Sequence, residues 1–172
     1  RGVNIGGLFV LEAWILQGFV PGGWGNVTGI YDQYTFSKLC GQISGLCDAL
    51  KQHWASWYTA ADFTAMKAAN LNTIRLPVGW WYFAPAAGVD PSPYLLPDQD
   101  LLDPNHPITS VIQMAKAAGL QVILDLHGAP KSQNGFDNSG RENLNPDNWR
   151  WGEGWLFNAT SVADTVSVLS AM

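Results

Sequence analysis

The sequence predicts an α/β chain forming the first three βα units of a (β/α)8 TIM barrel, incomplete within residues 1–172. Three observations carry this. Short apolar segments alternate with segments at helical spacing, the order that builds a parallel sheet. The third apolar segment, Leu-Gln-Val-Ile-Leu-Asp-Leu-His over 120–127, turns polar at its end and runs into a loop dense in amides. Strands that deliver polar groups at their C-terminal tips are how an α/β barrel builds a site. Third, there is no internal repeat and no second domain, yet eight units need ~250 residues and an open three-stranded parallel sheet leaves bare edges. A second polypeptide or a remaining segment is therefore expected to complete the barrel.

The elements follow in order. Val3-Asn4-Ile5 reads as a short first strand ending at Gly6-Gly7. Residues 18–29, with five Gly and one Pro, form a loop. It has no Lys and no phosphate-loop spacing. Tyr34 to Trp57 reads as helical stretches broken near Gly41 and Gly45. Thr59-Ala60-Ala61-Asp62 is a capping box, followed by Phe63, Met66, Lys67 and Asn70 at helical spacing. Asn72 to Pro77 is the second strand, with Ile74 and Leu76 on one face and Thr73 and Arg75 on the other. Six Pro make residues 84–107 a long surface excursion. Pro107 opens a helix through Ala118 that Gly119 closes. In the third strand Val122, Leu124 and Leu126 face one way and Ile123, Asp125 and His127 the other. Ser161-Val162-Ala163-Asp164 then caps a last helix running to Met172.

A hydrophobic share of 47% against 13% charged residues fits a packed core and excludes a disordered chain. A net charge of −5 excludes a nucleic-acid partner, which needs clustered Lys and Arg. No apolar run approaches the ~20 residues of a membrane span; Leu8-Phe9-Val10-Leu11 stops at Glu12. The chain opens on Arg1 without a signal-peptide pattern, which fits a processed or trimmed N-terminus. Asn26-Val27-Thr28 and Asn158-Ala159-Thr160 match the N-glycosylation pattern, making Asn26 and Asn158 candidate glycan acceptors and tilting the reading toward a secreted protein, extracellular or in a cell wall. Cys40 and Cys47 suit an oxidising compartment. On a continuous helix they lie too far apart to bond, whereas a bend at Gly41 and Gly45 lets them pair; external partners and free thiols stay open. The three His lack metal-ligand spacing and Cys companions, so neither a metal nor a cofactor is implied. Nine Trp, several beside Gly and Asn, suit both sugar stacking and ordinary packing.

Five blocks, in order, carry a resemblance: Arg1-Gly-Val-Asn-Ile-Gly-Gly, Leu11-Glu12-Ala13-Trp14, His53-Trp54-Ala55-Ser56-Trp57, Arg75-Leu76-Pro77-Val78-Gly79-Trp80-Trp81 and Asp125-Leu-His-Gly-Ala-Pro with Ser132-Gln-Asn-Gly-Phe-Asp-Asn-Ser-Gly. Together they resemble the fungal exo-β-1,3-glucanase branch of glycoside hydrolase family 5, as far as about residue 140. The resemblance implies that residues 1–172 are the N-terminal portion of one (β/α)8 catalytic domain. It also implies a secreted retaining β-glycosidase cleaving β-glucosidic bonds, and a carbohydrate or glycoside substrate.

A retaining glycosidase works with two carboxylates about 5–5.5 Å apart. In the resembled family both are Glu, one in an Asn-Glu pair ending the fourth strand and one ending the seventh. Only Glu12, Glu142 and Glu153 occur here, and none follows Asn at an apolar strand tip, so the catalytic pair is expected outside these residues. The chain would supply the shell. Arg75 matches an Arg that supports the nucleophile, and a buried Arg needs a carboxylate partner in any case. His127 matches the strand-three His that shapes the subsite of the sugar to be cleaved. Glu12 matches a ligand of the terminal glucose, a fit role because a carboxylate accepts two charge-assisted hydroxyl bonds at once. Asn134, Asp137 and Asn138 offer a similar cluster, Phe136 matches an aromatic on the leaving-group side, and Trp14 and Trp80 are candidates for the pocket wall. A Ser132–His127–Asp125 triad lacks the Gly-x-Ser-x-Gly elbow and is set aside.

Departures bear on the substrate. Leu8 stands where the family has Trp or Phe, Ala13 replaces Pro, and residues 84–107 and Trp149 to Trp155 are unlike the glucanases. Such loops set specificity, so a diglycosidase such as a rutinosidase, acting on β-glucosides of flavonoids, is the alternative enzyme. A non-catalytic carbohydrate-binding wall protein is the alternative from another class.

Overall fold

Three parallel strands, β1 (Gly2–Asn4), β2 (Thr73–Gly79) and β3 (Gln121–Gly128), form one sheet in the order β1-β2-β3. The structure is a computed structural model that describes residues 1–25, 28–142 and 154–172. Between β1 and β2 run α1 (Gln33–Leu39), α2 (Leu46–Ser56) and α3 (Ala60–Ala68). Between β2 and β3 run α4 (Ala84–Ala87) and α5 (Pro107–Ala117), and α6 (Ala159–Ala171) follows β3. This is the βα alternation of a partial barrel.

Period-two alternation sets the faces. Ile74, Leu76 and Val78 are fully buried on the helix side, joined by Phe63 from α3 and Ile108, Val111 and Ala115 from α5. Thr73 and Arg75 lie on the opposite, inner face. On β3, Val122, Leu124 and Leu126 pack against the core, while Ile123 stays exposed. Asn4 pairs with Arg75 in the β1–β2 register and Pro77 with Asp125 in the β2–β3 register. Beyond the strand tips, the indole of Trp81 is fully buried and stacks on Tyr94 with centroids 4.1 Å apart.

Local chemistry explains the element ends. The Thr59–Asp62 capping box opens α3, the Asp62 carboxylate accepting from the Thr59 N–H at 2.7 Å. Asp32 and Thr35 form a second capping box on α1. Within the Pro-rich excursion, His106 caps α5 by accepting from the Ile108 N–H at 3.2 Å, and Pro107 takes the first helical position, where its missing N–H costs nothing. Cys40 and Cys47 are joined in a disulfide, their Cα atoms 5.0 Å apart. A 3-10 turn at Cys40–Gln42 and the left-handed Gly45, with φ of 74°, supply the bend that a continuous helix would lack.

Boundaries differ in three places. β1 begins a residue early, at Gly2, and Ile5 contributes a further bond to the Arg75 carbonyl at 2.9 Å. β2 runs on to Gly79 because β3 continues to pair with it past Pro77. The last helix starts at Ala159, capped by Asn158, and not at Ser161. The Asn158 side chain accepts from the Ser161 N–H at 3.0 Å and caps the helix, which leaves Ser161 buried inside the first turn.

Candidate functional site

Four polar side chains from three strands meet on the inner face at the C-terminal end of the sheet. Arg75 donates through Nη1 to Asn4 Oδ1 at 2.8 Å and through Nη2 to Asp125 Oδ2 at 2.7 Å. His127 Nδ1 lies 3.0 Å from the same Asp125 oxygen and 3.2 Å from Arg75 Nη2. Strand pairing dictates this meeting: the register sets Asn4 opposite Arg75, and the pleat turns Asp125 and His127 to the same side. Arg75 thus has a carboxylate partner, although its side chain is 41% exposed on this uncovered face and not buried as expected. Asp125 and Asn4 were not singled out in the sequence as site residues. The alternation already put Asp125 on this face, whereas Asn4 could be found only from the strand register.

The loops above this row add an acid and two open rings. Glu12, in the turn after β1, is 6% exposed, and its Oε2 accepts the Trp14 indole N–H at 3.0 Å. Burial pushes the Glu12 carboxyl above its ordinary value, and the Asp137 carboxylate adds to this. The Trp14 N–H, His127 and the Gly7 backbone pull the other way. Glu12, from the turn after β1, thus shares an electrostatic neighbourhood with His127 at the tip of β3 and Asp137 in the loop after it. Trp14 is 66% exposed and Phe136 65%, so both rings present surface to solvent.

The loop after β3 is held internally and by α1. Gln133 bridges its start, accepting from the Ala129 N–H at 2.9 Å and donating to the His127 carbonyl at 2.6 Å. Buried Ser132 and Ser139 meet through their hydroxyls at 2.6 Å. Asn134 accepts from the Phe136 N–H and donates to Asn138 Oδ1, each at 3.0 Å, so both of its polar atoms serve the loop. The start of α1 fastens the far end. The Tyr34 N–H donates to the Gly140 carbonyl at 2.9 Å, the Glu142 N–H donates to Asp32 Oδ2, and Arg141 stacks over the Tyr34 ring at 4.4 Å. Burial raises the carboxyls of Asp32 and Glu142.

Trp80 does not join these groups. It is 7% exposed and sits edge-on to Trp81 and Tyr94, with centroids 6.5 and 5.6 Å away, as part of the aromatic core. The 3-10 turn at Trp80–Tyr82 turns the ring inward, which two adjacent Trp in a sequence do not reveal. Asn158 is half-buried as the α6 cap; Asn26, Trp149 and Glu153 lie outside the described residues. Among the described residues no cluster of His, Cys, Asp and Glu could hold a metal, and no helix is long and apolar enough to cross a membrane.

A partial α/β barrel with an acid, an imidazole and exposed aromatic rings beyond its strand tips has the layout of the class of barrel proteins that build their sites at the C-terminal ends of the strands. Comparison with known proteins gives the family. The family model described as Cellulase (glycosyl hydrolase family 5) matches residues 39–161, and the chain belongs to that family. It is 39% identical over its whole length to a probable glucan 1,3-beta-glucosidase A of Aspergillus clavatus, of which it covers 36%. Over 81% of the chain it is 42% identical to a glucan 1,3-beta-glucosidase of Kluyveromyces lactis, covering 32% of that protein. The chain thus spans about a third of the length of these relatives. The crystal structure of a rutinosidase from Aspergillus niger matches 99% of the chain with a TM-score of 0.68 at 20% identity, covering 42% of that chain, a likeness of fold.

Proposed function

We propose that these residues form the sugar-holding part of a secreted retaining β-glycosidase of exo-β-1,3-glucanase or β-glucosidase type, whose two catalytic Glu come from outside the 172 residues. The observation that carries the reading is the convergence of Glu12, His127 and Asp137 beside the exposed Trp14, in a chain about 40% identical to glucan 1,3-beta-glucosidases. Glu12 accepts hydroxyls of the terminal sugar while Trp14 offers an apolar face to the C–H side of the ring. Arg75 supports the nucleophilic Glu, and Asn134, Asp137 and Asn138 line the approach. The disulfide between Cys40 and Cys47 supports an oxidising, extracellular setting, and the Asn26 and Asn158 sequons support glycosylation.

The rest of the barrel closes over what this chain leaves open. Val162, Val166 and Leu169 on α6, continued by its C-cap Met172, recur at helical spacing and are all exposed, as is Ile123 on the inner face of β3. Covering such a stripe is what a fourth βα unit would do.

A second reading is a diglycosidase acting on flavonoid β-glucosides. The exposed Phe136 ring favours it, because a flat leaving group can stack there. The deciding experiment assays the full-length protein on laminaribiose, rutin and nitrophenyl β-glucoside. Hydrolysis of laminaribiose and the nitrophenyl glucoside is expected. Cleavage of rutin alone would select the diglycosidase, and binding without hydrolysis a carbohydrate-binding wall protein.

A further inference from the structure

The contacts around Asp125 decide more than the ion pair with Arg75. A single carboxylate oxygen, Asp125 Oδ2, lies 2.7 Å from Arg75 Nη2 and 3.0 Å from His127 Nδ1, and these two nitrogens are 3.2 Å apart. A guanidinium has donors only and keeps its charge, so the Nη2–Oδ2 contact is a bond of fixed polarity. The imidazole contact has two versions. With Nδ1 bare, its lone pair would face a carboxylate lone pair at 3.0 Å, and only the longer approach from Nη2 would favour it. With the proton on Nδ1, the ring donates to the carboxylate in a charge-assisted bond, and one of the two Nη2 protons goes to the nearer Asp125 oxygen. The second arrangement satisfies both short contacts. It also leaves Nε2 unprotonated in the neutral ring.

We propose that Asp125 is a positioning residue that holds His127 in its Nδ1–H tautomer, so that Nε2 meets the sugar as an acceptor for a hydroxyl proton. The same oxygen fixes the guanidinium of Arg75, whose other arm is held by Asn4 at 2.8 Å. The ligand chemistry rests on the glycosidase reading; the tautomer does not. A carboxylate that orients a His through Nδ1 without touching the substrate is a recurrent device at active sites, in metal centres as in hydrolytic triads.

The test uses the full-length protein with 15N-labelled histidine. Long-range proton–nitrogen correlation at neutral pH should give His127 a protonated Nδ1 and a bare Nε2, and the reverse pattern in the wild type overturns the proposal. D125N puts an amide at the same place, whose NH2 can donate to Nδ1 and release the tautomer. The expected result is gain of the Nε2–H form and a fall in kcat of about 10–100-fold, larger than the change in KM, by analogy with other His-orienting carboxylates. D125E should recover part of the loss. In an H127A background, D125N should cost only a further two- to threefold or so, because the group it acts through is gone. An equal loss in that background would place the effect in Arg75 or the fold and refute the assignment. A wild type that cleaves no β-glucoside would sink the glycosidase reading, while the spectrum would still decide the role of Asp125.

Discussion

The ring of Trp81 occupies the place a side chain on Gly140 would need: a Cβ built there falls 2.3 Å from the ring carbon Cη2. Gly140 also has a φ of 79°, in the left-handed region. Its carbonyl receives the Tyr34 N–H at 2.9 Å, so this glycine joins the loop after β3 to α1 while leaving room for the indole. Gly79 is as tightly placed, with a Cβ 2.1 Å from the same ring. Trp81 therefore acts as a wedge between the end of β2 and the loop that carries Asn134, Phe136, Asp137 and Asn138.

Gly140→Ala should accordingly destabilise the protein by roughly 2–5 kcal/mol, combining the cost of overpacking with that of a left-handed non-glycine residue. Denaturant unfolding of the full-length protein measures it. A loss under about 0.5 kcal/mol, the range of a neutral surface change, would mean that the loop moves away from Trp81 at little cost.

Lys131 is the opposite case. Ser132 N–H donates to the Ala129 carbonyl at 2.9 Å, closing a turn with Pro130 second and Lys131 third. Lys131 has a φ of 60°, where a type II turn favours Gly. Lys131→Gly should raise stability by up to about 1 kcal/mol, since the left-handed penalty exceeds the extra freedom of Gly in the unfolded chain. A rise of a few degrees in Tm is the expected readout; a fall would show that the Lys side chain contributes contacts worth more than the strain.

How much of this could be read in the sequence varies with the physics involved. Alternation alone puts Thr73 and Arg75 on one face of β2 and Asp125 and His127 on one face of β3, and strand pairing then makes the two faces one. Asn4 could not be placed this way, because a three-residue strand has no period to read and its meaning comes from pairing with Arg75. Trp80 and Trp81 look alike as neighbours. Both are buried, and only the three-dimensional slot lined by Gly79, Gly128 and Gly140 shows what Trp81 does. The cap of α6 went to Asn158 because a cap competes with every other candidate within a turn, and local patterns do not rank them. Glu12 was legible through its family block, whereas its burial was not, nor was the approach of His127 and Asp137 from beyond a hundred residues along the chain.

That burial gives Glu12 a testable conflict between folding and binding. Its carboxyl in the folded protein titrates above the 4.5 of a free glutamate, chiefly through desolvation. Between those two values the folded state holds more protons than the unfolded chain, so stability falls as pH rises through the window. Above the window the ionised carboxylate is a constant cost. Glu12→Gln should therefore be at least as stable as the wild type at pH 7. Asp32 and Glu142, also raised by burial, keep their own slopes, so the difference between the two stability–pH curves isolates Glu12. Binding should move the other way, weakening by about 10–100-fold for every β-glucoside, as expected for a lost hydrogen bond to a charged group. Thermal unfolding across pH 4–7 (roughly the span over which a raised carboxyl titrates) and inhibition constants for a glucose analogue measure both halves. A less stable variant with unchanged affinity would assign Glu12 to the fold.

Phe136 tests the proposed division of the cleft into a terminal-sugar end and a leaving-group end. Its backbone N–H is held by Asn134 at 3.0 Å, yet its ring is 65% exposed, an apolar surface kept open by the loop instead of packed into it. If that ring stacks on the leaving group, Phe136→Ala should penalise substrates in proportion to what they place there. Small activated aryl glucosides should lose little, whereas laminaribiose or rutin should lose on the order of 1–3 kcal/mol in kcat/KM, the range found for flat rings stacked on aromatic side chains. The larger loss marks the better natural leaving group, a sugar for an exo-glucanase or a flavonoid for a diglycosidase. Glu12→Gln serves as the control, since the terminal-sugar role proposed for Glu12 predicts an equal effect on all three substrates. Equal losses for Phe136→Ala across the three would make the ring a packing element awaiting the rest of the barrel, and the leaving-group site would then lie on strands beyond β3.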